Sequence, residues 1–120
     1  MRESTLWMLN LIAGAAILVL LGLHMAIMHL DAVLAFFGLA SKGAVDTSAV
    51  FARSRQTFFM ITYILLLGTA LYHGLYGLRN ILFELTLSSA AEKAIALLLT
   101  LSGLALFGYG AYVAIAVFMA

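Results

Sequence analysis

Cysteine is absent from the 120 residues, and with it go disulfides, thiolate metal sites, iron–sulfur ligation and cysteine nucleophiles. Any redox centre on this chain must hang on histidine. Proline is absent as well, so no helix here carries a proline kink. Charge is scarce: 9% of residues are Asp, Glu, Lys or Arg, against about 25% in an ordinary soluble domain. The formal net charge is +1 and no basic cluster occurs, which argues against nucleic acid or a strongly anionic partner. What is abundant is apolar surface. Hydrophobic residues make up 66% of the chain and mean hydropathy is +1.17, so lipid is the solvent this sequence is written for.

Crossing a hydrocarbon core takes about 20 apolar residues, and three segments are long enough: about 6–30, 58–83 and 94–118. Backbone in lipid must satisfy its own hydrogen bonds, so all three are expected to be helices. The first is too long and too weakly basic at its flank for a cleaved signal peptide, and no small-residue cleavage site follows a short apolar core. It is expected to remain as an anchor, giving a single transmembrane domain over 1–120. The connection DAVLAFFGLASKGAVDTSAVFARSRQ is the one long loop: Val33 to Leu39 is apolar enough for the interface, whereas Ser41 to Ser54 carries Lys42, Asp46 and Arg53. The second connection, TLSSAAEKA, is short. Ser88 or Ser89 with Glu92 beyond it reads as a helix N-cap with an acid in the first turn. Charge does not orient the chain, because Arg2, Arg79 and Lys93 fall on one side and Lys42, Arg53 and Arg55 on the other.

All three histidines lie in predicted spans, where an ionisable group is costly and reads by default as functional. His73, in LYHGLYGLRNILFEL, sits about ten residues, or about 15 Å of rise, from the end of its helix. Arg79 is about 9 Å further along, close enough to the boundary to snorkel or meet an anion. Gly77, one turn from His73, and Ala70 leave bare surface beside the imidazole. Small residues there permit a close helix contact or a flat macrocycle pressed on the backbone, and neutral imidazole is a good axial ligand for haem iron. A histidine bonded across a helix interface, with Gly77 as a packing notch, is the plainer alternative.

His24 and His29 end the first span. Five residues apart, they point about 140° from one another, so at most one addresses a given cofactor in a regular helix. Ala15, Gly22 and Ala26 lie on the His29 side and favour it as the bundle-facing one; His24 lies deeper and shares its face with Asp31, a candidate hydrogen-bond partner. The plainer alternative, a headgroup-region histidine with no ligand, applies more to His29 than to the deeper His24. Met8, Met25, Met28, Met60 and Met119 read as packing. Tyr63, Tyr109, Tyr112 and Trp7 read as interface belt or packing, while Tyr72 and Tyr76 lie near enough to His73 to reach a propionate or a quinone carbonyl.

YHGLYGLRNILFE, with glycine four, arginine six and an acid eleven residues past the histidine, resembles the second transmembrane helix of the membrane-anchor subunits of succinate dehydrogenase and quinol:fumarate reductase. The family pattern is H-x-x-x-G-x-R-H, a short apolar run and an Asp. Asn80 stands here where histidine is usual, and Glu84 where aspartate is usual. The family's Ser or His followed by Arg ahead of the first span has no clear match in MRESTLWMLN, which offers Arg2, Ser4 and Asn10. The three-span plan matches along the whole chain.

The resemblance implies an all-α membrane protein whose three transmembrane helices form half of a haem-binding bundle. It implies His73 as ligand to haem b iron, Arg79 as the basic residue near the propionates and quinone pocket with Tyr76 and Gly77 alongside, and Glu84 at the acidic position. His24 or His29, late in the first helix, implies a second haem at another depth and so two haems per anchor pair. The implied function is a non-catalytic subunit of succinate:quinone oxidoreductase, respiratory complex II of the tricarboxylic acid cycle or fumarate reductase. It would have no succinate site of its own, would dock the iron–sulfur and flavoprotein subunits beside a second anchor subunit, and would support electron transfer with quinone. The implied location is the inner (cytoplasmic) membrane with a cytoplasmic amino terminus. The alternatives are a haem b anchor for another quinone-linked dehydrogenase, and a small non-haem transporter or assembly factor in which His73 and Arg79 handle protons or an anion.

Overall fold

In the computed structural model the described residues are 2–38, 43 and 46–120, without the side chains of Asp31 and Leu34. Lys42, one of the charges in the orientation count, and the side chain of Asp31, the candidate partner of His24, lie outside them. Four helices follow in order: α1 Glu3–Phe36, α2 Thr47–Ser54, α3 Thr57–Phe83 and α4 Ser89–Met119. Three of them are long and apolar enough to cross a membrane, so the expected all-α, three-span plan is what the chain adopts.

The ends of the helices have local causes. At 34 residues, or about 51 Å of rise, α1 outruns a hydrocarbon core of about 30 Å; the apolar residues 33–36 extend it instead of lying as a separate interfacial segment. It stops where Gly38 takes a left-handed φ of 73°, the conformation that ends helices at glycine. Ser88 caps α4, its Oγ accepting from the Ala91 N–H at 3.2 Å, with Glu92 in the first turn. The eight residues of α2 sit inside the stretch read as a polar loop. Its link to α1 is the Arg53 Nη2 donating to Met28 Sδ at 3.1 Å.

Helix α3 is the middle of the molecule. It packs along α1 on one side and α4 on the other, and α1 and α4 do not meet among the described residues. The result is a row, 21 Å through its thinnest dimension and 58 Å through its longest. Such a row has almost no interior: among the described residues only Ala13 and Tyr76 are buried. The face of α1 against α3 runs Leu6, Asn10, Ala13, Ile17, Leu20, His24, Ile27, alternating steps of four and three, which is the period of left-handed helix packing. On the other side α4 meets α3 through its glycines. A Cβ built at Gly103 would lie 2.8 Å from Leu75 Cδ1, one at Gly110 would collide with Leu67, and one at Gly68 would lie 3.1 Å from Phe107 Cε2. In lipid there is no hydrophobic drive between helices, so backbone approach through small residues is what holds α3 and α4 together.

Overpacking a close contact costs about 1–3 kcal/mol. Gly110→Leu is therefore expected to lower the thermal midpoint of the purified protein in detergent. Gly108→Leu, where a Cβ meets nothing within 4 Å, serves as the control and should leave that midpoint in place.

Candidate functional site

His73 sits on α3 with its ring edge against α1, yet it is exposed. Its Nδ1 lies 3.1 Å from the backbone carbonyl oxygen of Asn10. A carbonyl oxygen only accepts, so Nδ1 is the nitrogen that carries hydrogen, and Nε2 keeps its lone pair. The bare surface that meets the ring belongs to Gly14 of α1: a Cβ there would stand 3.1 Å from His73 Cε1 and 3.3 Å from Nδ1. Gly77, read from the sequence as the notch beside His73, adjoins open space, as does Gly74; a Cβ at either would meet nothing within 4 Å.

A second cluster lies at the end of the row where α1 begins and α3 finishes. Arg79 Nη2 donates to Glu3 Oε1 at 2.9 Å and Nη1 to Glu3 Oε2 at 3.4 Å, a two-pronged grip that a planar guanidinium makes well. Nη1 also donates to Asn80 Oδ1 at 3.2 Å. The amide that stands where the family has histidine thus helps to hold Arg79. Tyr76 OH donates to Glu3 Oε2 at 3.0 Å, and Tyr72 OH donates to the Leu6 carbonyl at 2.6 Å. The two tyrosine rings stack with centroids 5.6 Å apart, and the Arg79 guanidinium lies 4.4 Å from the centre of the Phe83 ring. Glu84 is exposed at the C-cap of α3.

Between α3 and α4 runs a groove of about 350 Å³. Tyr72, Tyr76 and Arg79 line one end of it, Phe107 lines it further along α4, and Gly68 and Gly103 are among its walls. Its volume is within the range of small-ligand sites.

The two histidines late in α1 occupy different settings. His24 lies in the α1–α3 seam, edge-on to Tyr63 with centroids 5.8 Å apart, and its Nδ1 is buried with no hydrogen-bond partner. The crevice beside it measures only about 10 Å³, room for about one water, so no macrocycle fits between the two helices there. His29 is exposed on the face of Ala15, Gly22 and Ala26. That face turns away from α3, so within this chain it is His24, not His29, that looks toward the neighbouring helix. About 15 Å of helix rise separates the level of His24 from that of Gly14, where His73 sits.

Among the described residues no group of three or more His, Asp or Glu converges to hold a metal ion. A ready-made set of protein ligands is therefore not what this site offers. It offers one exposed histidine whose Nε2, 3.9 Å from where a Cβ at Gly14 would stand, makes no hydrogen bond among the described residues, which suits a metal that brings its own equatorial ligands in a flat ring. Glu3, Asn10 and Gly14 were not singled out from the sequence as members of these clusters. The signal for Glu3 was slight, a lone acid at the head of the first helix in a chain poor in charge. Asn10 carried none, because it takes part through its backbone carbonyl, and Gly14 only that of a glycine inside an apolar span.

No protein-family model and no solved structure matches the chain. Over 110 residues it is 28% identical to a protein of Archaeoglobus fulgidus named succinate dehydrogenase hydrophobic membrane anchor subunit, an alignment that covers 92% of this chain and 86% of that one. The similarity spans nearly the whole of both chains, and the three apolar helices and the histidine–glycine–arginine pattern of α3 accord with it: the chain is similar to a succinate dehydrogenase membrane anchor along its length.

Proposed function

We propose that this chain is a haem b-binding anchor of succinate:quinone oxidoreductase, in which His73 would hold the iron through Nε2. The observation that carries the reading is the His73 hydrogen bond to the Asn10 carbonyl at 3.1 Å. It fixes the ring in the form that donates through Nδ1 and leaves Nε2 free, the arrangement metal-ligating histidines typically use. An exposed imidazole in an apolar span is costly unless something covers it, and α1 and α4 leave it uncovered. A second anchor subunit would supply the cover and a facing helix against which haem could be held. When bound there, haem supplies reversible one-electron transfer. The residues of this chain hold the imidazole, present the bare surface of Gly74 and Gly77, and place His24 at another depth as ligand to a second haem approached from outside the α1–α3 seam. His29, on the outward face of α1, is the other nitrogen available for that second role.

The α3–α4 groove suits the quinone. Its walls are largely apolar and its Arg79 end carries donors. Glu3 already neutralises that guanidinium, which favours a neutral carbonyl over a second carboxylate such as a propionate. Tyr76 lines the same end with its O–H donated to Glu3, and Glu3, 65% exposed, connects that end to water at the boundary. This end, with the α3–α4 turn and Glu84, is the docking side for the iron–sulfur subunit and, through it, the flavoprotein, with the amino terminus in the cytoplasm of the inner membrane. Dicarboxylate chemistry belongs to those soluble subunits.

Two outcomes follow for the complex purified from membranes. His73→Ala is expected to abolish one low-spin haem, measured by pyridine haemochrome against protein, and one of His24→Ala and His29→Ala to abolish a second. Full haem content in His73→Ala would refute the ligand role. Glu3→Gln is expected to raise the KM for quinone by no more than about fivefold with haem content unchanged, because an ion pair with so exposed a carboxylate is worth about 1 kcal/mol at most. An unchanged KM would separate Arg79 from the quinone end.

A further inference from the structure

We infer that Gly14 is a positioning residue for the His73 imidazole: lacking a Cβ, it lets the ring reach the Asn10 carbonyl and so determines which nitrogen carries the hydrogen. This rests on the haem reading for its purpose, though not for its geometry. In a regular helix the carbonyl of residue 10 points at the amide of residue 14, and a helical Cβ tilts toward the amino terminus. A side chain at 14 therefore stands over the very oxygen that His73 uses. The distances agree: a Cβ there would lie 3.1 Å from Cε1 and 3.3 Å from Nδ1, inside the roughly 3.5–4.0 Å of an optimal contact.

The neighbouring contacts leave little freedom to yield. One turn and two turns nearer the α1 start, Tyr72 OH bonds the Leu6 carbonyl at 2.6 Å and Tyr76 OH bonds Glu3 at 3.0 Å, which set the α1–α3 register on that side. A methyl at 14 is thus met by the ring, and the ring leaves the carbonyl. Glycine is the poorest helix former after proline, so its place in the middle of a 34-residue helix has a reason at 14. Gly22 differs, since a Cβ there meets nothing within 4 Å.

The hydrogen bond has a chemical consequence beyond placement. A donor Nδ1–H held by a carbonyl makes Nε2 more basic, and a more basic ligand favours the ferric state. Gly14→Ala should remove that bias while keeping His73, the helix and the haem.

The test uses the whole complex in membranes, with wild type, Gly14→Ala and the control Gly22→Ala. Two readouts are taken: the 15N shifts of the His73 ring and the haem midpoint potential by redox titration. Wild type and Gly22→Ala should show protonated, hydrogen-bonded Nδ1. Gly14→Ala should lose that signature, retain haem, and raise the midpoint by about tenfold in the reduction equilibrium, about 59 mV for one electron. Identical 15N shifts and potential in Gly14→Ala and wild type would overturn the positioning role. Loss of the Nδ1 signature in Gly14→Ala when wild type contains no haem would uphold the seat and defeat the haem reading, so the two fail separately.

Discussion

The hydrogen bond between the His73 Nδ1–H and the Asn10 carbonyl is the contact on which the functional geometry turns. It is a side chain to backbone bond between two helices, so it fixes three things together: the register of α3 on α1, the tautomer of the ring, and the direction in which Nε2 looks. Each has a separate support in the sequence. Register is held by Tyr72 and Tyr76 reaching Leu6 and Glu3, ring access by Gly14, and outward exposure by the open surface at Gly74 and Gly77.

The thinness of the molecule explains why such a contact matters. A soluble domain holds its elements together by burying apolar side chains in a core, but three spans in a row have nearly none, and lipid offers no reward for bringing helices together. Close approach at Gly103 and Gly110, and a few polar bonds concentrated along α1 and α3, do that work instead. The same thinness leaves His73 facing outward in an apolar span. That face is open to a partner, in keeping with the chain's similarity to a succinate dehydrogenase membrane anchor subunit.

The three spans were legible in the sequence because lipid admits only helices for apolar runs of that length, and the Ser88 cap was legible because its spacing to Glu92 is local. Helix α2 was not: eight residues of mixed character give no period long enough to read. Nor was the orientation of α1. The small residues Ala15, Gly22 and Ala26 made the His29 face look like the packed one, whereas the packed seam runs through Ala13, Ile17, Leu20 and His24. Small residues mark where a backbone can be approached, without saying by which helix. For the same reason Gly77 was read as the notch beside His73 when the glycine that meets the ring is on another helix, 59 positions earlier in the chain. The pairing of Gly14 with His73, or of Glu3 with Arg79, depends on how α1 slides along α3, and no single stretch of sequence encodes that offset.

The central claim is that His73 Nε2 binds iron. A cryo-electron microscopy map of the intact assembly, prepared from membranes with all its subunits, tests it most directly. The account predicts density for a porphyrin against Gly74 and Gly77, with its iron joined to Nε2 while Nδ1 remains on the Asn10 carbonyl. A well-ordered His73 packed only on protein or lipid, with no porphyrin beside it, would contradict it.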